Sequence, residues 1–139
     1  MRSGSIGRAI AVLCVFALSA CQGDEEKLAE HLKRAEAYVE ENQFPEALIE
    51  YKNVLQIDPN HSEAHYGLAR AYLRLNKARE GFWELRETVR LDPQNLEAKK
   101  QFGSMAFFGG DLDEALKQAE EVIAADPEDV PARLLKART

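Results

Sequence analysis

The chain has 139 residues, 45% of them hydrophobic and 30% charged, with a formal net charge of −6. That length suits one modest domain. The acidic balance speaks against nucleic acid or another polyanion as the main partner. Many Ala, Leu and Glu beside few Gly and Pro is the composition of a helical protein.

The first residues depart from that composition. Arg2 and Arg8 are basic, no acid precedes Asp24, and residues 10–20 form an almost unbroken apolar run. Basic start, apolar centre and small residues at the end read as a secretory signal over residues 1–20. A run of eleven residues falls short of the roughly 20 that a permanent membrane-spanning helix needs. The run ends in Leu18-Ser19-Ala20-Cys21, which resembles the lipobox of bacterial lipoproteins. That resemblance implies that Cys21 is acylated, with a diacylglycerol and usually a third chain, and becomes the mature N-terminus. Two or more acyl chains anchor stably, whereas one holds only marginally. Gln22, not Asp, follows the cysteine, which in Gram-negative relatives implies the periplasmic face of the outer membrane. A cleaved signal without lipid and a buried apolar helix of a cytosolic chain are the other readings of this run. Cysteine usage favours the lipid: Cys14 lies inside the signal, so Cys21 is the only mature cysteine and no intrachain disulfide can form. Residues 21–27 then read as the acylated cysteine and a short polar tether, too short for a long flexible spacer.

From Leu28 a 34-residue period takes over. Its fixed points are Asp58-Pro59, Asp92-Pro93 and Asp126-Pro127, and such a period marks a repeat architecture. The units span residues 28–61, 62–95 and 96–129. Their eighth positions are Ala35, Ala69 and Gly103, and their twentieth are Ala47, Gly81 and Ala115. Small residues at fixed points let two helices approach closely. In the second unit Tyr66, Leu68, Ala69, Tyr72 and Leu73 form one apolar stripe, and Ala78, Phe82, Leu85 and Val89 form another. The spacing predicts two amphipathic helices of about 13 residues joined by a short turn. Pro93 stops the second helix. In the third unit Gly109-Gly110 ends one helix, and Asp111 with Glu114 predicts a capping box on the next. In residues 130–139 the register begins a fourth first helix, expected as a partial repeat or a capping helix. A gene product that ends there and a fragment of a longer repeat protein are both open.

Ala35, Tyr38, Ala47, Tyr51 and Pro59, together with the turn Gly110-Asp111-Leu112-Asp113-Glu114-Ala115, resemble the tetratricopeptide repeat family. The departures are Arg34 for the usual leucine, His65 for the common tryptophan and Gly81 for alanine at the tightest contact. The resemblance implies an all-α fold, an α-solenoid of three tandem helical hairpins with the start of a fourth. In the family the first helices of successive hairpins line the inner face. Carried across, the groove positions are Ala29, Leu32, Glu36, Val39 and Glu40 in the first unit. The second unit supplies Glu63, Tyr66, Arg70, Leu73 and Arg74, and the third supplies Glu97, Lys100, Ser104, Phe107 and Phe108. The candidate peptide-binding set is Tyr66, Arg70, Leu73, Arg74, Lys100, Ser104 and Phe108. Aromatics beside Arg and Lys suit an extended peptide segment with acidic side chains or a free carboxylate. Phe107 and Phe108 are adjacent and cannot both face the groove; Phe108 is the one expected there. The family's chaperone-tail binders carry a lysine and asparagine clamp, and the matching positions here are Leu32 and Glu36, so that specialised role is not implied. Trp83, off the apolar stripe of its helix, is a further candidate contact or a half-buried packing residue.

No constellation points to catalysis, a cofactor or a metal. His61 and His65 are four apart but straddle a linker, and no cysteine or acid pair completes a tetrahedral set. Adjacent glutamates such as Glu40-Glu41 point apart on a helix, and Gly109-Gly110 lacks the residues that follow a phosphate loop. The expectation is therefore a non-catalytic protein-interaction scaffold, with no small-molecule substrate, that recruits or organises envelope, secretion or exopolysaccharide-system proteins. The lipobox set close to the first repeat, with the phrase from Ala47 to Pro59, is similar to the repeat lipoproteins of bacterial exopolysaccharide and PEP-CTERM sorting systems. Two alternatives stay open: an assembly factor for outer-membrane proteins or pili, and the non-catalytic amino end of a larger repeat protein or enzyme.

Overall fold

In the computed structural model, the backbone of residues 6–139 and the side chains of residues 23–139 are described. The expected signal segment, the lipobox and the side chain of Cys21 lie outside that detail. The element order is α1 (Ile6–Glu40), α2 (Phe44–Ile57), α3 (Ser62–Arg74), α4 (Ala78–Leu91), α5 (Leu96–Phe108), α6 (Leu112–Ala125) and α7 (Val130–Arg138). No strand occurs among the described residues. Helices α1/α2, α3/α4 and α5/α6 form three antiparallel hairpins, and each hairpin packs on the next through α2–α3, α4–α5 and α6–α7. The chain is an all-α solenoid. Residues 23–27, read from the sequence as a tether, are helical and continuous with the first repeat helix.

The turns repeat with the sequence. Asn42 and Asn76 have φ of 59° and 57°, and Gly110 has 84°. These residues stand 34 apart and end the first helix of each hairpin in the left-handed conformation that Asn and Gly tolerate. One residue later the backbone N–H of Gln43, Lys77 and Asp111 donates to the carbonyl of Tyr38, Tyr72 and Ala106, at 2.8, 2.9 and 2.9 Å. The linkers are equally regular. The carboxylates of Asp58, Asp92 and Asp126 accept from the N–H of Asn60, Gln94 and Glu128 at 3.0–3.1 Å, an Asx turn beside each proline. The next helices are then capped by side chains of His61, Asn95 and Asp129.

The capping box expected at Asp111 is half formed. The Asp111 carboxylate accepts from the Glu114 N–H at 3.2 Å, but the Asp111 N–H is committed to the Ala106 carbonyl. The Glu114 carboxylate turns instead to Gln118 Nε2 at 2.6 Å.

Ala35, Ala47, Ala69 and Ala115 are fully buried where the helices of each hairpin cross. At Gly81 an added β-carbon would lie 3.3 Å from the Ala69 carbonyl oxygen, and at Gly103 3.6 Å from that of Ala115. Between these contacts Val54, Leu68, Leu85 and Val122 fill the interior. Burial of each such side chain contributes about 1.5–3 kcal/mol.

The hairpins are also pinned at their linker ends by polar pairs at the same repeat positions. His31 Nδ1 lies 2.5 Å from Glu50 Oε2, and His65 Nδ1 lies 2.7 Å from Glu84 Oε2. His65 thus fills the expected tryptophan position by bonding across the hairpin. In the third unit the equivalent residues are Lys99 and Gln118. Lys99 bonds Glu121 at 2.5 Å, and the Gln118 Oε1 is buried without a partner.

Candidate functional site

The first helices α1, α3 and α5 together line a series of connected hollows. The central one, about 430 Å³, is walled by Val39, Phe44, Tyr51, Arg70, Leu73, Arg74 and Gln101 around the backbone of Gly67. Toward α1 it joins, through Arg70 and Tyr51, a hollow of about 450 Å³ that Tyr66, Glu36, Glu40 and Glu63 also line. Toward α5 it joins, through Leu73 and Gln101, one of about 390 Å³ with Lys100, Ser104, Met105 and Phe108. All seven residues of the candidate set therefore border one continuous groove.

Their chemistry differs from residue to residue. Arg70 lies over the Tyr66 ring at 5.8 Å and Arg74 over the Phe44 ring at 4.7 Å. Both side chains are exposed. Among the described residues neither guanidinium has a carboxylate within 4 Å. Stacking on an aromatic face holds a guanidinium in place while leaving its N–H fork free. Glu63 and Glu97, which share the groove positions, pair with neither arginine; Glu97 is held by Lys100 at 2.9 Å.

Lys100 is different. Its ammonium is 2.9 Å from Glu97 and 3.3 Å from Asp129. Those two carboxylates raise its pKa, and Gln101 with Lys100 holds Glu97 below the usual carboxylate range. Lys100 is thus in the groove but already neutralised. The Tyr66 hydroxyl accepts from Gln101 Nε2 at 3.1 Å, tying α3 to α5 across the groove floor, and burial pushes its pKa up.

Phe108 is 79% exposed and stands at the α5 end of the groove. Phe107, its neighbour, is partly buried under α7, with Arg138 stacked at 4.8 Å. Phe44, Gln101 and Gly67 were not among the sequence candidates. Phe44 and Gln101 are reached only by the relative placement of hairpins. Gly67 carries no side-chain signal, yet its missing β-carbon opens the floor to Tyr51.

No group of three or more His, Cys, Asp or Glu is arranged to hold a metal among the described residues. His31 and His65 serve the hairpin pairs, and His61 Nδ1 accepts from the Ala64 N–H at 3.3 Å. Among these residues no helix is long and apolar enough to cross a membrane.

Residues 35–76 match the family model described as TPR repeat. No curated protein matches the chain. Among solved structures, "First TPR of Spaghetti (RPAP3) bound to HSP90 peptide SRMEEVD" superposes with a TM-score of 0.70 at 23% identity, over 81% of this chain and 90% of that one. The second TPR domain of human RPAP3, in complex with HSP70 peptide SGPTIEEVD, gives 0.71 at 21% identity, over 83% and 96%. The MamA protein gives 0.74 at 23% identity, over 82% of this chain and 64% of that one. At these identities the likeness is one of fold: the helical hairpins of this chain stack as those of the TPR domains do.

Proposed function

We propose that this tetratricopeptide-repeat chain is a non-catalytic scaffold whose first-helix groove holds an extended protein segment. An acidic side chain or a free carboxylate of that segment meets Arg70 and Arg74, and its apolar residues lie on Tyr66, Leu73 and Phe108. The observation that carries this reading is the pair of guanidiniums, lying over the Tyr66 and Phe44 rings and, among the described residues, with no carboxylate within 4 Å. Two oriented, unsatisfied forks in a walled groove favour a carboxylate far more than two solvated lysines would. Peptides bound to the RPAP3 repeats named above end in Glu-Glu-Val-Asp, which supports a peptide-binding use of this fold.

The scaffold is anchored, in this proposal, by lipid on Cys21 at the periplasmic side of a bacterial outer membrane, serving envelope, secretion or exopolysaccharide proteins as the repeat lipoproteins of PEP-CTERM systems do. Intact-mass analysis of the membrane fraction tests the anchor. A chain beginning at Cys21 with added diacyl mass, absent in Cys21→Ser, is expected; an unmodified chain beginning at Met1 ends the anchor proposal. A photo-crosslinking residue placed at Phe108 tests the groove. Adducts are expected there and not at Gln56 on the outer face of α2, and equal yields at both positions would argue against a groove ligand.

A further inference from the structure

The outer face of α4 is unlike that of its counterparts in the other hairpins. Arg79, Trp83, Arg86 and Arg90 follow one another at spacings of four, three and four, and all are exposed. At 100° per residue they fall within an arc of about 60° and run about 16 Å along the helix. Of the glutamates of α4, Glu84 bonds His65 at 2.7 Å, Glu87 bonds the stripe's Arg90 at 2.8 Å and lies 4.0 Å from Arg86, and Glu80 is exposed about 60° round the helix from Trp83. Arg79 has no carboxylate within 4 Å among the described residues. Trp83, the only tryptophan of the chain, is 43% exposed. The Arg86 guanidinium lies 4.1 Å over its ring, and Phe82 meets it edge-on at 5.6 Å. These contacts hold the indole in place at the surface.

The equivalent positions are Pro45, Ile49, Lys52 and Gln56 on α2, and Asp113, Lys117, Glu120 and Ala124 on α6. Three repeats of one fold carry three different outer faces, so the solenoid itself requires neither the arginines nor the indole. The face of α4 that packs, with Gly81, Leu85 and Thr88, is opposite the stripe. Only Arg79, at one end of the stripe, approaches the groove, bordering a hollow of about 610 Å³ together with Met105 and Phe108.

We infer that the outer face of α4 is a second docking surface, and that it takes the acidic face of a helix in a partner protein. The stripe is opposite in sign to the net charge of −6, so its complement is acidic. A symmetric pairing with a second copy through α4 would set arginine against arginine. The four-three-four spacing is the ridge that one helix offers another. Trp and Arg are also the side chains that dominate binding energy at protein interfaces.

Because Trp83 is the sole tryptophan, its emission reports on this face alone. The probe is a synthetic alanine-rich helix of about 20 residues, long enough to be helical in isolation, with glutamates at four-three-four spacing. A saturable change in Trp83 emission is expected, weakening as salt is raised. Arg79→Glu with Arg86→Glu should lower the affinity at least about tenfold, with the circular dichroism unchanged. Three results would overturn the inference: no emission change, an equal response to alginate or to a peptide with the same glutamates scattered around the helix, or an emission change on concentrating the chain alone. A response to alginate would assign the stripe to acidic glycans, a response to the scattered peptide to nonspecific polyanion binding, and a change on concentration to self-association.

Discussion

The phenol ring of Tyr51 occupies the space that a β-carbon on Gly67 would need. Tyr51 belongs to α2 of the first hairpin and Gly67 to α3 of the second, so this overlap sets how closely the two hairpins approach. It also shapes the groove floor, where both residues sit beside Arg70. An alanine at 67 would gain up to about 1 kcal/mol of helix propensity. It must also displace a buried ring, and overpacking costs about 1–3 kcal/mol. Gly67→Ala is expected to destabilise the chain in urea unfolding, and Tyr51→Leu in the same chain should recover part of the loss. Additive effects of the two changes would show that the residues do not share this space.

Gly81 makes the opposite case. An added β-carbon there would lie 2.8 Å from Leu73 Cδ2 and 2.9 Å from its Cγ, and Leu73 is a flexible side chain on the groove edge. Propensity and repacking nearly cancel, so Gly81→Ala should change stability by less than about 1 kcal/mol. Its expected effect is on the groove, because Leu73 must shift toward the ligand. A change in peptide affinity with an unchanged melting temperature is the predicted pattern.

Gln118 stands where the other hairpins have glutamate, and its buried Oε1 lacks a partner. An unsatisfied buried oxygen costs about 1–3 kcal/mol, partly offset here by the Nε2 bond to Glu114. Gln118→Met is expected to leave the chain as stable as before or more so. A loss above about 1 kcal/mol in thermal unfolding would mean that the amide contributes more than its one visible bond.

The docking of α7 carries a pH dependence. The Ala132 N–H first, and Lys100 second, hold the Asp129 carboxylate below its ordinary 3.8. A depressed carboxylate pKa adds stability that is fully present above the unfolded value and is lost as pH falls through the lower folded value. The protection factors of the α7 amides, corrected for the intrinsic exchange rate at each pH, should therefore hold down to about pH 4 and fall below it. In Asp129→Asn, which removes the charge, the acid transition should be flattened; an unaltered transition would place its origin elsewhere.

Much of this architecture is legible in the sequence because its determinants are local. Asp58, Asp92 and Asp126 form their turns with residues two positions on, and Asn42, Asn76 and Gly110 mark the left-handed positions within their own hairpins. The small residues at Ala35 and Ala47 announce a close crossing by their size alone. What escapes is decided between hairpins. Nothing near Lys100 in sequence shows that Asp129, from the following linker, neutralises it. Nothing near Gly67 announces Tyr51. His65 departs from the repeat pattern by itself; it becomes intelligible once paired with Glu84, and His31 with Glu50 shows the same exchange one period earlier.

The central claim is that Arg70 and Arg74 present a carboxylate site in the groove. Its most direct test is a fluorescence-polarisation titration of labelled decapeptides, matched except for acidic content and a free or amidated C-terminus. The chain is compared with Arg70→Glu/Arg74→Glu and with Lys52→Glu as an outer-face control. Affinity is predicted to rise with acidic residues or a free carboxylate, to fall at least about tenfold in the double variant, and to hold in the control. Binding that ignores the carboxylates, or that survives reversal of both arginines, would contradict it.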